Sequence, residues 1–98
     1  QELIISRKFT LHNAYPNPFN PVTTISYDIP ENNFVNLTIF DMAGRKIKTL
    51  ANKSIVAGFN SVRWKGLDEQ YQPVPTGVYL CVLQMGSHRE TKKIILLK

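Results

Sequence analysis

The sequence contains a single cysteine, Cys81, and only two histidines, His12 and His88. One cysteine excludes an internal disulfide and any metal site built from several cysteines. Because its neighbours are apolar, we interpret Cys81 as a buried structural thiol rather than a reactive one. His12 precedes a proline-rich stretch and His88 falls in a predicted turn, so we interpret both as surface residues rather than catalytic groups or metal ligands.

Long apolar runs are also missing. No stretch approaches the roughly 18 residues that a membrane-spanning helix needs, so no membrane insertion is expected. The start of the chain has neither an initiator methionine nor the basic region that opens a signal peptide. We therefore expect a fragment of a longer chain, in which residues 1–8 form the join to an upstream domain.

The residue combinations that carry catalysis are scarce. There is no glycine-rich phosphate loop and no zinc-binding helix motif. Asp68 and Glu69 are adjacent, and neighbouring side chains in an extended backbone point apart, which makes them a poor general acid and base pair. A weak calcium site at these two acids is the alternative. We predict that the chain is not an enzyme and binds no cofactor or metal.

Acidic residues are absent from the middle of the chain. Between Met42 and Leu67 there are six basic residues and no acid, within a net charge of +5. The six are Arg45, Lys46, Lys48, Lys53, Arg63 and Lys65. Such a face could meet nucleic acid or an anionic cell surface, or could serve solubility. No RNA-binding motif, basic helix or zinc-finger spacing accompanies the charge, so no nucleic-acid partner is predicted.

Period-two alternation dominates the first half of the chain. Residues 22–29 alternate with Ile25, Tyr27 and Ile29 on one side, which predicts a strand with one buried face. Residues 35–39 repeat the pattern before a turn at residues 41–44. A short return strand should follow towards Leu50, with Lys46 and Lys48 sharing one face.

The second half continues the pattern. Residues 61–65 predict a strand with Trp64 in the core, and the proline-containing residues 66–76 predict a loop. Residues 77–85 are almost continuously apolar, which is typical of a central strand covered on both faces. A tight turn at residues 85–88 would let residues 89–98 pair back as the last strand.

These strands and turns predict an all-β fold. No segment has a helical period of useful length, and turns recur every eight to twelve residues or so, as in two-sheet sandwiches. We predict an immunoglobulin-like antiparallel β-sandwich of about seven strands. The cysteine and tryptophan signature of true immunoglobulin domains is missing, so the likeness is one of architecture.

The proline-rich segment, residues 15–21, reads Tyr-Pro-Asn-Pro-Phe-Asn-Pro. Its three prolines fix φ and favour extended backbone before them, which predicts a stiff, polyproline-like edge leading into the sandwich. Asn17 and Asn20 could cap backbone groups there, and Phe19 is predicted to enter the core.

This segment resembles the opening of the type A sorting domain of the type IX secretion system of Bacteroidetes. The likeness extends from about Phe9 to Lys98 and includes five motifs in order. After the proline-rich segment they are D-x-x-G-R at residues 41–45, A-G at 57–58 with W-x-G at 64–66, P-T-G-V-Y at 75–79, and a last strand that ends on lysine. The family usually has glycine at position 71 and Asp or Asn at position 65, so Tyr71 implies a different loop conformation.

The resemblance implies a function and its partners. Residues 9–98 would be a C-terminal sorting domain that directs a passenger, joined through residues 1–8, across the periplasm and outer membrane to the cell surface or medium. Outer-membrane secretion machinery would recognise it, and a surface transpeptidase would cut on its N-terminal side and attach the passenger to surface polysaccharide or release it. The expected recognition residues lie in the terminal hairpin, residues 77–98: Gly77, Tyr79, Lys92, Lys93, Ile94, Ile95, Leu96, Leu97 and Lys98.

The other motif residues are expected to have structural roles. They are Pro16, Asn17, Pro18, Phe19, Asn20, Pro21, Asp41, Gly44, Trp64 and Gly66. The last strand is expected to be an exposed edge that a partner recognises by backbone pairing.

Two other functions compete with sorting. The chain could be a structural or carbohydrate-binding module of an extracellular enzyme, with Trp64, Tyr71 and Tyr79 as an aromatic platform. It could also be a scaffold like the immunoglobulin-like domain of flagellar hook-capping proteins, which shares several of the motifs.

Overall fold

The computed structural model describes residues 8–97 and places seven strands, and no helix, in that part of the chain. The strands are β1 (Thr10–Leu11), β2 (Thr23–Ile29), β3 (Asn33–Asp41), β4 (Lys46–Ile55), β5 (Gly58–Trp64), β6 (Gly77–Met85) and β7 (His88–Leu96). They form a three-stranded sheet in the order β1-β2-β5 and a four-stranded sheet in the order β4-β3-β6-β7. The pairings within both sheets are antiparallel, which confirms the predicted β-sandwich.

The core lies between the inner faces of the two sheets because apolar residues alternate along the strands. In β2 the alternate residues Ile25, Tyr27 and Ile29 are buried, as the period-two pattern predicts. The largest fully buried side chains are those of Trp64 and Phe19. Phe19 comes from the proline-rich segment rather than from a strand, so a loop completes the core.

The return strand β4 differs from the sequence prediction in its length and in the placement of its lysines. It runs from Lys46 to Ile55, well past Leu50, and therefore forms a long edge of the four-stranded sheet. Lys46 lies opposite Phe40, whereas Lys48 lies opposite the buried Ile39, so the two lysines are on different faces of the sheet. The reason is a register shift between Ile39 and Phe40, a β-bulge that the alternation of the sequence does not reveal.

Strand β6 lies between β3 and β7, which confirms the prediction of a central strand. Its inward residues, including Tyr79 and Leu83, are buried in the core. The expectation that both faces are covered is wrong, because Val78 and Leu80 on the outer face are only partly buried. Among residues 8–97 there is no helix that could span a membrane.

Candidate functional site

The terminal hairpin is formed by β6 and β7, which are joined at Gly86 and Ser87. The register pairs Met85 with His88 at the turn and Gly77 with Leu96 at the open end. The two strands are therefore aligned along their whole length, and β7 is an edge strand of the four-stranded sheet.

Side chains of the last strand divide between two faces. Ile94 and Leu96 are buried in the core, whereas Lys93 and Leu97 are exposed and Ile95 is half-buried. Side chains that fill the core cannot be contacted by a partner while the domain is folded. Lys98 lies outside the described residues.

The remaining predicted recognition residues of the hairpin are largely enclosed. Tyr79 is 5% exposed, its ring packs edge-on against Trp64 at 5.3 Å between centroids, and its hydroxyl donates to the Pro75 carbonyl at 2.5 Å. Lys92 lies opposite the buried Cys81 and is half-buried, and Gly77, which starts β6, is also half-buried. The accessible part of the hairpin is therefore its outer face.

The proline-rich segment lies along the outer edge of β7. The Asn17 side chain donates from Nδ2 to the Lys93 carbonyl at 3.0 Å, and its Oδ1 accepts from the Ile95 amide at 3.0 Å. The Phe19 amide donates to the Ile95 carbonyl at 2.9 Å, and the Leu97 amide donates to the Phe19 carbonyl at 2.9 Å. The expectation of a free edge strand is wrong over residues 93–97, because a side-chain amide and a loop peptide already bind its backbone.

The same segment is bent rather than extended, which corrects the polyproline-like edge expected from its composition. Bends at residues 16–18 separate isolated bridges at Tyr15 and Phe19, and the peptide bonds before its three prolines, Pro16, Pro18 and Pro21, are cis. The hydroxyl of Thr23 donates to the Pro16 carbonyl at 2.7 Å. Pro18 and Asn20 are exposed, so the segment holds β7 mainly through Asn17 and Phe19.

A turn centred on Asp41 joins β3 to β4. Its Oδ1 accepts from the amides of Ala43 at 3.0 Å and Arg45 at 2.9 Å, and its Oδ2 pairs with Arg45 Nε at 2.8 Å. The hydrogen bond from the Arg45 amide, together with the Arg45 side chain, lowers the pKa of Asp41. Gly44 has φ of 84°, a left-handed conformation that favours glycine. The D-x-x-G-R motif thus forms a self-contained turn.

The loop after β5 is organised around Trp64, which is 1% exposed. Its Nε1 donates to the Leu67 carbonyl at 3.0 Å, and its ring contacts Phe19 at 5.4 Å between centroids. Gly66 accepts a hydrogen bond at its carbonyl from the Val74 amide at 3.0 Å, which closes the loop. These two motif residues hold the 66–76 loop against the core.

Tyr71 has φ of 61°, the left-handed conformation that glycine adopts readily. Tyrosine at this position therefore has a backbone conformation that favours glycine. Tyr71 is 71% exposed, and Lys48 Nζ lies 4.5 Å from the centroid of its ring. The contact with a cation favours this placement of the ring.

The aromatic platform expected for a carbohydrate-binding module does not form. Trp64 and Tyr79 are buried in the core, and Tyr71 alone of the three is exposed. A flat sugar-binding surface needs several exposed rings on one side of the domain. The reason is the alternation of side chains along a strand, which places Trp64 of β5 and Tyr79 of β6 at inward positions.

The acidic pair of the 66–76 loop and His12 have structural partners. Asp68 Oδ1 accepts from the Gln70 and Gln72 amides at 2.9 Å each, while Glu69 pairs with Lys48 at 3.4 Å. His12 Nε2 is 2.8 Å from Asp28 Oδ2. Within residues 8–97, no group of three His, Cys, Asp or Glu side chains is placed to hold a metal ion.

The single thiol lies in the core. Cys81 is buried on the inner face of β6, and burial raises its pKa to about 12. A nucleophilic cysteine needs a lowered pKa and access to solvent, and Cys81 has neither.

The comparison with protein families decides the assignment of the chain. The family described as secretion system C-terminal sorting domain matches residues 13–97. This chain belongs to that family. The match contains the first four motifs, the last strand up to Leu97 and nearly the whole described sandwich. The sorting domain is thus a signal of the type IX secretion system that directs the protein carrying it to export.

Solved structures share the fold. Dimeric latent PorU from Porphyromonas gingivalis matches with a TM-score of 0.68 at 19% identity, covering 89% of this chain and 9% of that chain. PorZ from the same organism, a surface component of the type IX secretion system, matches with a TM-score of 0.64 at 18% identity, covering 90% of this chain and 11% of that chain. The sorting domain therefore spans about a tenth of either protein.

Solved structures of FlgD, the flagellar hook-capping protein, also share the fold. FlgD from P. aeruginosa matches with a TM-score of 0.60 at 21% identity, covering 76% of this chain and 57% of that chain. At these identities the likeness concerns the fold alone. No curated protein sequence matches the sorting domain at a significant level.

Proposed function

We propose that the sorting domain is a non-enzymatic export signal whose terminal hairpin is recognised by the outer-membrane secretion machinery. An upstream passenger, joined through residues 1–8, would be carried to the cell surface. There a surface transpeptidase would cut on the N-terminal side of the domain and attach the passenger to surface polysaccharide or release it. The observation that carries the proposal is the division of β7 into core residues and an accessible outer face.

The machinery would contact that outer face rather than the backbone edge. Lys93, Ile95 and Leu97 share the outer face, and the proline-rich segment occupies the backbone groups beside them. Recognition by strand addition would have to displace Asn17 and Phe19 first, whereas side-chain recognition needs no such change. The folded domain would therefore be the signal.

The test replaces accessible residues instead of truncating the strand. Deletion of residues 93–98 removes Ile94 and Leu96 from the core and would unfold the domain. A loss of export would then report unfolding and not the loss of a recognition residue. We would fuse the sorting domain to a reporter in a host with the secretion system and replace Lys93, Ile95 and Leu97 together by threonine. Threonine keeps strand propensity while removing the charge and the larger apolar groups.

A control with the same kind of change lies on β5. Phe59 and Arg63 are exposed on the outer face of the other sheet, and replacing both by threonine removes one large apolar side chain and one cation, against two apolar side chains and one cation in the hairpin variant. We expect export of the wild-type and control fusions and retention of the hairpin variant in the periplasm. Equal export of all three, with equal thermal stability, would remove the hairpin from the recognition site. Failure of the wild-type fusion to be exported would refute the sorting role itself.

A further inference from the structure

The outer face of the four-stranded sheet carries an apolar strip that crosses three strands. Strand register places Val78 opposite Ile95, and Leu80 between Phe40 of β3 and Lys93 of β7. The next row has Val82 between two threonines, Thr38 and Thr91. Because directly opposite residues share a face, these side chains form one continuous surface.

This strip is accessible but does not protrude. Phe40, Val78, Leu80 and Ile95 are each half-buried, and Val82 is 7% exposed. Neighbouring side chains of the same sheet cover part of each residue, which leaves a flat apolar surface. A flat surface of this kind suits contact with another protein surface more than insertion into a lipid bilayer.

The charges around the strip have one sign. Lys46 lies opposite Phe40 on the β4 side, Lys93 lies next to Leu80 on the β7 side, and Arg89 lies opposite Gln84 at the turn end. All three are exposed. None of the acids in residues 8–97 lies on this face: Asp41 and Glu90 occupy inward register positions opposite Tyr79 and Leu83, and the others lie outside the four strands.

The charge pattern argues against a second copy as the occupant. Two such faces packed together would bring three cations of one domain against three of the other with no acid between them, and like charges across an interface oppose association. An occupant with carboxylates around an apolar centre would instead pair with every cation and cover the strip.

We propose that this face docks a protein surface of the export machinery that has an aliphatic centre and an acidic rim. The inference rests on the proposed sorting role and extends it, because the contact surface reaches beyond the terminal hairpin to Phe40 on β3 and Lys46 on β4. The net charge of +5 would then favour association with such a surface.

The decisive variants lie outside the hairpin. Lys46→Glu reverses the charge at the strip, and Lys53→Glu makes the same change on the same strand. Lys53 is the matched control because it is exposed but lies opposite the core residue Val35, on the other face of β4. In the reporter fusion we expect Lys46→Glu to lower export by about tenfold, because the new carboxylate repels the acidic rim of the partner and the attraction of Lys46 is lost. Export of Lys53→Glu should stay within about twofold of wild type.

A second variant tests the apolar part. Phe40→Thr removes the ring but introduces a β-branched residue that favours a strand, and it should also lower export about tenfold. Urea unfolding of each purified domain shows whether it is folded; if Phe40→Thr is not, the exposed Lys46→Glu carries the test alone. Equal export of Lys46→Glu, Lys53→Glu and wild type would overturn the inference. The sorting proposal would stand in that case if the hairpin variant were still retained.

Two further measurements separate other occupants. Flotation with phosphatidylglycerol vesicles should show no binding, and binding that Lys46→Glu abolishes but Lys53→Glu keeps would assign the face to an anionic membrane instead. Light scattering should give a monomer at micromolar concentration. A dimer that Lys46→Glu dissociates would assign the face to self-association and overturn the proposal.

Discussion

The hydrogen bonds of Asn17 give the sharpest prediction about stability. Its amide binds the β7 backbone twice, donating to the Lys93 carbonyl and accepting from the Ile95 amide, both at 3.0 Å. Asn17→Ala removes both bonds and leaves these groups to water. A hydrogen bond contributes about 0.5–1.5 kcal/mol net, so at this exposed site we expect a loss of about 1–2 kcal/mol in the free energy of unfolding.

The assay is urea unfolding, with thermal melting as a second measurement. For a domain of this size a loss of 1 kcal/mol corresponds to a decrease of about 4–8 °C in Tm. Asn20→Ala is the matched control, because Asn20 is exposed in the same segment and its side chain makes no hydrogen bond among the described residues. It should stay within about 0.5 kcal/mol of wild type.

Hydrogen exchange would locate the effect. The Ile95 amide should lose protection in Asn17→Ala, whereas the Leu97 amide, which donates to the Phe19 carbonyl, should keep most of its protection. If Asn17→Ala and Asn20→Ala have the same stability and the Ile95 amide exchanges alike in both, Asn17 does not hold the terminal strand.

Three other predictions concern the turn, the loop and the thiol. The pKa of Asp41 is lowered in the folded state, so its stabilising contribution is present above the usual value near 3.8 and is lost as pH falls through the lowered value. Asp41→Asn should therefore be less stable than wild type in urea at pH 7, and the difference should shrink as the pH is lowered below 3.8. Trp64→Phe leaves the Leu67 carbonyl without its donor and opens space in the core, so it should cost about 2–4 kcal/mol in the same assay; an unchanged midpoint would contradict this role. Cys81, with its pKa raised to about 12, should resist a thiol reagent at pH 8 in the folded domain and react at once in urea, whereas fast reaction of the native protein would contradict its burial.

Much of the fold could be predicted from local patterns. Alternation in residues 22–29 identified β2, because a half-buried strand needs an apolar residue at every second position. The almost continuous apolar run of residues 77–85 identified β6 as a central strand. Aspartate and glycine identified the turn at 41–44, and glycine identified the turn at 85–88. The length and register of β4 could not be predicted, because a β-bulge is decided by the partner strand β3.

The proline-rich segment was the least predictable part. Proline chemistry alone favours extended backbone, yet here the chain bends so that Asn17 and Phe19 reach the edge of β7, 76 or more residues away in sequence. A contact between segments so distant leaves no local signal in the sequence. The same limit applies to the aromatic residues, whose exposure depends on which face each strand turns inward.

For this sorting domain, the amino-acid sequence by itself determined the strand pattern, the turn motifs and the family, because these depend on short-range periodicity and on residues in a fixed order. Only the tertiary structure decided which hairpin residues a partner can contact. Pairing across β4, β3, β6 and β7 placed Ile94 and Leu96 in the core, and it brought Phe40 and Lys46 beside Lys93 on one outer face. Register between distant strands creates that face.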